Sequence, residues 1–139
     1  MSYKYSDFDI DFSRNEFTGD ISMKTESNSI RQSVRNIVMT RRGEKPFNRG
    51  FGVGLHDYLF ENLSPDLSGG SWDLLSLKSK IMNQIISYEP RVVLSEVLVD
   101  DSLIDSNELG IEIVYKILKE SDIASSPVDR ITISVKKVR

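Results

Sequence analysis

The sequence has no cysteine and a single histidine, His56, among its 139 residues. Disulfides, thiolate metal sites and cysteine nucleophiles are thereby excluded. No serine stands in a strand–turn–helix elbow, so His56 has no recognisable catalytic team and reads as a surface residue near the start of a short helix. No spacing of potential ligands suggests a metal site, and no cofactor is expected. Long apolar runs are missing as well, so no segment approaches the length that crosses a bilayer. The opening stretch, Met1 to Asp7, is polar and has no signal-like core, so neither a membrane nor export through a signal peptide is expected. An excess of positive charge is also lacking: the formal charge is −3, whereas a phosphate-binding face shows as a basic chain or stripe. Lys and Arg gather only at Arg41-Arg42-Gly43-Glu44-Lys45 and Lys136-Lys137-Val138-Arg139. Clusters so short read as solvated surface or contacts for acidic partners, and nucleic acid is not expected as a partner.

What is present is ordinary globular material, 39% hydrophobic and 28% charged, which fits one domain with one core. Up to Phe17 the chain is rich in Asp and Ser and carries Tyr3, Tyr5, Phe8, Phe12 and Phe17, with neither a helical stripe nor sustained alternation. We assign residues 1–19 to an irregular N-terminal arm and residues 20–139 to the domain. Five aromatics are too many for a solubilising tail, so the arm is expected to dock on its own domain or on a neighbour.

A short strand is expected at 20–24. Ile30, Val34, Ile37 and Val38 then recur at helical spacing. Asn28 or Ser29 is the expected cap, and the helix should end by Arg42-Gly43, where glycine can close a last turn. Residues 45–54 form a punctuated loop with Pro46, three glycines, and Phe47 and Phe51, both expected against something apolar. Leu55, Leu59 and Phe60 suggest a short helix; Ser64-Pro65-Asp66 ends it and Ser68-Gly69-Gly70-Ser71 links onward. A longer helix is expected from Ser71 or Trp72 to Ser87, with Leu74, Leu77, Ile81, Ile85 and Tyr88 on one face. Pro90 stops it.

Beyond Pro90 the period changes from 3.6 to 2. Val93, Val97 and Val99 are expected on one face of a strand, with Leu94 and Leu98 on the other. Leu109, Ile111, Ile113, Tyr115 and Ile117 mark one face of a second strand, and Ile131, Ile133 and Val135 one face of a third. The expected fold is α+β: N-terminal helices packed on one face of a small C-terminal antiparallel sheet of about three to four strands. The last strand, Ile131-Thr132-Ile133-Ser134-Val135, lies close to the C-terminus. At a sheet edge its backbone could pair with another chain.

Carboxylates are the only plentiful catalytic material. Glu61 and Glu89 invite a glycosidase reading, but nothing in the sequence brings them together. Gly50-Phe51-Gly52-Val53-Gly54 is glycine-rich without the lysine and Ser/Thr of a phosphate loop, so chain geometry explains it. Tyr88-Glu89-Pro90-Arg91 is the most informative feature: a stiff corner with a carboxylate and a guanidinium on either side of proline. Two readings stand, an intramolecular clasp or a polar anchor presented to a partner.

Four features in order resemble the baseplate wedge and sheath-initiator proteins of contractile phage tails, whose relatives in type VI secretion baseplates share the domain. They are Ser29-Ile30-Arg31-Gln32-Ser33-Val34-Arg35-Asn36-Ile37; Thr40-Arg41-Arg42-Gly43-Glu44-Lys45-Pro46-Phe47 with Phe51-Gly52 and then Leu55 to Glu61; the helix ending in Tyr88; and Glu89-Pro90-Arg91 entering the first sheet strand. The resemblance covers roughly residues 20–138 and departs from the family in the glycine content of 50–54, which would loosen that loop. It implies a structural, non-catalytic subunit of the virion's tail baseplate, assembled in the host cytoplasm. It further implies that Glu89, Pro90 and Arg91 contact the helical bundle of the larger wedge subunits. The strand Ile131, Thr132, Ile133, Ser134, Val135 would pair with the tail sheath protein and template its first ring. Tail tube or hub proteins are further candidate partners. A cell-wall glycan hydrolase and the equivalent secretion-system subunit are the alternatives; the acidic, aromatic arm and short domain favour a phage. On this reading Arg91→Ala would leave the monomer folded.

Overall fold

The computed structural model describes residues 5–58, 74–100, 108–118 and 128–136. Two short strands, β1 (Ser6–Phe8) and β2 (Met23–Thr25), precede helix α1 (Glu26–Met39), a single turn α2 (Leu55–Tyr58) and helix α3 (Leu74–Tyr88). Three longer strands follow, β3 (Val92–Asp100), β4 (Glu108–Ile117) and β5 (Val128–Lys136). They form an antiparallel sheet in the order β3-β4-β5. The fold is therefore α+β, with helices first and the sheet last.

The apolar stripes meet on one face of the sheet. Central strand β4 buries Leu109, Ile111, Ile113, Tyr115 and Ile117 on one face, with Gly110 the one buried position on the other, the alternation a half-buried strand requires. Ile131, Ile133 and Val135 of β5 join them. Over this face lie α1, through Ile30, Val34, Ile37 and Val38, and α3, through Leu77, Ile81 and Ile85. α3 packs on β3, α1 reaches β5, and the two helices touch each other. Leu74 and Tyr88 flank the α3 stripe and are only half-buried.

Strand β3 departs from simple alternation. Leu94 pairs with Tyr115 and Glu96 with Val114, so Ser95 is an extra residue, a β-bulge. The bulge flips the parity of the strand: Val92 is buried before it and Val97 after it, while Val93 is exposed. Val93 thus does not share a face with Val97 and Val99, and Leu94 lies on the core side with them.

The start of α1 is also reorganised. The helix begins at Glu26, so Asn28 and Ser29 lie inside it, and Thr25 at the cap makes no side-chain bond. The Glu26 N–H donates instead to the Tyr5 carbonyl at 2.9 Å, so a backbone group of the arm does what a cap side chain would do. That carbonyl comes from beside β1, which pairs antiparallel with β2. The arm is thus a strand-forming hairpin in its described part, and the strand expected at 20–24 falls at Met23–Thr25.

At the far end, α1 stops at Met39 rather than Arg42-Gly43. The glycine loop that follows is well tied. Val53 N–H donates to Ile37 O at 3.1 Å, Gly54 N–H to Thr40 O at 2.9 Å, and Gly52 N–H to the Gln84 side chain at 2.9 Å. Its glycines fit close backbone approach, with Val53 and Leu55 buried behind them. Phe51 meets Tyr88 edge to face at 4.9 Å, but Phe47 is wholly exposed and does not lie against an apolar surface.

Gly52 has φ +99, and a Cβ there would collide with the Thr40 carbonyl; Gly43 has φ +84 and open space around it. Gly43→Ala should therefore cost only the left-handed backbone strain, about 1 kcal/mol. Gly52→Ala adds a backbone clash and should cost ~3 kcal/mol or more. Urea denaturation of the two variants checks this; equal midpoints would contradict the close packing of the loop on α1.

Candidate assembly interface

Two regions singled out in the sequence are the candidates for a partner-binding site. The first is the corner between α3 and β3. The Glu89 N–H closes the last turn of α3 on Ile85 O at 2.8 Å, and Pro90 next to it is exposed. The Glu89 side chain turns inward and retains 2% exposure, whereas Arg91 retains 31%. Arg91 holds the carboxylate with both arms of its fork, Nε to Oε1 at 2.6 Å and Nη2 to Oε2 at 2.7 Å. Paired charge-assisted bonds of this kind are strong and directional. The structure thus makes the intramolecular clasp.

Other elements converge on the clasp. Ser33 of α1 hydrogen-bonds Glu89. The Arg91 carbonyl accepts from Leu118 N–H at 2.8 Å, just past the end of β4. The ring of Tyr5, from the arm, lies 5.3 Å from the Arg91 guanidinium, within range of a cation–π contact. Burial alone would push the Glu89 carboxyl up; the Arg91 and Ser33 bonds outweigh it and hold the group below its ordinary value of 4.5. The same pairing raises the Arg91 guanidinium.

The second region is β5. It pairs with β4 along one side and is the last strand of the sheet. Ile131, Ile133 and Val135 point into the core, while Thr132 and Ser134 face outward. Among the described residues no strand pairs with the other side of β5, so what it would offer a partner is a backbone edge and small polar side chains; the three aliphatic residues are already used. An open groove of about 740 Å³ runs beside it, bounded by the arm and α1, with Lys24, Arg31, Arg35 and Arg130 among its lining.

One polar cluster escaped the sequence reading. Asp129, near the start of β5, accepts from Arg31 Nη2 at 2.5 Å and from the Tyr115 hydroxyl at 3.1 Å. Burial pushes the Tyr115 hydroxyl up to about 12, helped by the Asp129 charge. Burial opposes ionisation of Asp129, but Arg31 and the Arg130 N–H more than offset it and lower its value. Arg31 and Asp129 are 98 residues apart in sequence, and no local spacing connects them.

For hydrolysis the geometry offers little. Glu89 is buried, paired and held ionised, the opposite of a general acid with a raised value; Glu61 lies outside the described residues. Among the described residues no three His, Asp or Glu side chains gather as a metal site.

Fold and site define a class: a small α+β domain in which a helix pair covers a three-stranded sheet, with a locked polar corner at one end and, among the described residues, an edge strand paired on one side only. The chain belongs to the family described as "Baseplate wedge protein gp25", whose sequence model matches residues 24–122. It is 33% identical over 88 residues to the baseplate wedge protein gp25 of Enterobacteria phage T4, a match that spans 63% of this chain and 61% of that relative. Two solved structures share the fold at 20% identity. A crystal structure from Geobacter sulfurreducens described as a tail lysozyme has a TM-score of 0.60 and matches 85% of this chain and 98% of its own. A chain of the anti-feeding prophage baseplate, seen by cryo-electron microscopy, has a TM-score of 0.57, with 92% and 83% covered.

The clasp fixes an acid dependence. Because the folded Glu89 is lowered, its contribution to stability is complete above 4.5, the ordinary value, and is lost as pH falls through the folded-state value. Glu89→Gln should flatten the acid limb of a stability-versus-pH curve, leaving the slope due to Asp9 and Asp129, both also lowered. Arg91→Ala strands a buried carboxylate and should cost about 3 kcal/mol, so this variant does not leave the monomer unperturbed. Denaturant titrations from pH 7 to pH 3 check both; identical acid limbs for wild type and Glu89→Gln would remove the clasp from the account.

Proposed function

We propose that this chain is a structural, non-catalytic subunit of the baseplate of a contractile phage tail, located in the virion's tail and assembled in the host cytoplasm. It anchors to the helical bundle of the larger wedge subunits through the Glu89-Pro90-Arg91 corner. It templates the first ring of the tail sheath protein through β5. Tail tube or hub proteins are further neighbours in this reading.

The observation that carries the sheath role is the placement of β5 at the end of the sheet with its side-chain register already fixed by Ile131, Ile133 and Val135 in the core. An incoming strand would meet a backbone edge whose register cannot slip, because a one-residue shift of β5 would turn its apolar set to water. Edge addition supplies affinity through main-chain bonds, and a fixed register is what a template needs. For the wedge role, Glu89 is committed inside the chain. Pro90 and the exposed part of Arg91 are the groups left to touch a bundle, and the clasp holds them in one geometry before binding, which lowers the ordering cost of association.

The family placement supports a structural role. The relative described as a tail lysozyme is linked to this chain by fold alone, at 20% identity, and the buried, ion-paired Glu89 argues against acid catalysis here.

Mixing the chain with wedge subunits and sheath protein and imaging the product by electron microscopy tests the proposal. The chain is expected between the wedge and the first sheath ring, and its failure to enter the assembly would overturn the reading. Removing residues 131–139 is a poor test, since it strips three core side chains. Thr132→Lys with Ser134→Lys instead places charge along the edge, the means by which natural sheets block strand addition. This variant should keep its melting temperature within a few degrees, as exposed surface changes do, and lose most sheath initiation. Normal initiation would remove β5 as the template.

A further inference from the structure

The arm hairpin is built the wrong way round for a segment that only packs on its own domain. Only part of its polar surface is held inward, while most of its charged side chains remain exposed. Gln32 of α1 donates to the Phe8 carbonyl at 2.7 Å and accepts from the Ile10 N–H at 3.2 Å, closing on the arm like a ladder rung. Asp9 is buried and paired with Lys24 at 3.0 Å. Apart from Tyr5, which packs against the core, the large apolar side chains stay outside: Phe8 and Met23 stand directly opposite each other, 55% and 49% exposed, with Phe12 at 68% and Phe17 at 98%.

Two of these rings are held out by local structure. The Asn15 side chain accepts from the Phe17 N–H at 2.9 Å and from Thr18 N–H at 3.3 Å, fixing the turn that carries Phe17. Phe12 sits at φ +48, a left-handed conformation that a bulky residue rarely adopts and that glycine or asparagine takes more easily. Strain kept for an exposed ring gains the monomer nothing and points to a use outside it.

Charge selects the occupant. Residues 5–25 hold five carboxylates, Asp7, Asp9, Asp11, Glu16 and Asp20, against two basic residues, Arg14 and Lys24, a surplus as large as the −3 of the entire chain. Two copies meeting through this hairpin would bring like charges together. We propose that the exposed aromatic face of the hairpin is a docking surface, distinct from the corner and from β5, for a baseplate subunit presenting an apolar groove rimmed by lysine and arginine. The inference rests on the structural function proposed above for the identity of the partner.

The test uses the full-length chain with a photo-crosslinking benzophenone side chain at position 17, mixed with the purified wedge subunits. Crosslinks are expected to a wedge-subunit segment bearing Lys or Arg, weakening as salt is raised. Phe12→Gly and Phe17→Ser form the second arm. Phe12→Gly should keep or raise the melting temperature, since glycine accepts the backbone, while each variant lowers wedge affinity about tenfold, as loss of an interface aromatic does. Crosslinks confined to this chain or to a second copy, or unchanged affinity in both variants, would overturn the inference. Incorporation of the unsubstituted chain without any such crosslink overturns it alone; failure of that chain to incorporate at all overturns the structural reading and the inference with it.

Discussion

A carboxylate that keeps 2% of its surface in water must be neutralised where it stands, and the fold is arranged around that requirement at Glu89. The residue closes α3 with its backbone, takes both arms of Arg91 from the first turn into β3, and accepts from Ser33 of α1. Leu118 ties the end of β4 to the same place, and Tyr5 of the arm covers the guanidinium. The hydrophobic faces explain why helices and sheet adhere, because burial of apolar area is indifferent to angle. Direction comes from the corner, where a bidentate ion pair tolerates few alternatives. A proline between the two charged residues stiffens the turn further.

Asp129 repeats the arrangement at the opposite edge of the same sheet face, joining α1 to the join of β4 and β5 through Arg31 and Tyr115. The helix pair is thus pinned to the sheet by polar locks over both edge strands, with the apolar core between them. For the assembly role proposed above, such locks would favour one packing over its neighbours in a way aliphatic contacts alone do not.

Much of this was legible from residue order because it follows from short-range periodicity. The stripe of Ile30, Val34, Ile37 and Val38, the α3 stripe, and the alternation of Leu109 to Ile117 each report a face whose burial pattern repeats locally. What could not be read depends on groups distant in sequence. The start of α1 was misplaced because a Tyr5 carbonyl, and no side chain, satisfies it. The arm strand was hidden because its three residues are ordered by a partner fifteen positions or more away. Glu89 and Arg91 were recognised as a pair, yet whether the carboxylate faces inward is decided by the packing of α1 and β4 around it. Phe47 shows the converse error: an aromatic in a glycine loop suggested burial, and the ring is in solvent.

The bulge at Ser95 has a consequence for how this strand can vary. On its two sides β3 is regular, Val92 and Leu94 inward before it, Val97 and Val99 inward after it. Without Ser95 the remaining residues would alternate without interruption, and each would keep its partner on β4. One residue at the bulge, Ser95 or its exposed neighbour Glu96, is therefore an insertion that the sheet absorbs, whereas loss of Val93 would turn Val92 away from the set that follows it. Relatives of different length should gain or lose a residue here and still bury the same side chains. The bulge is the strand's one permitted length change.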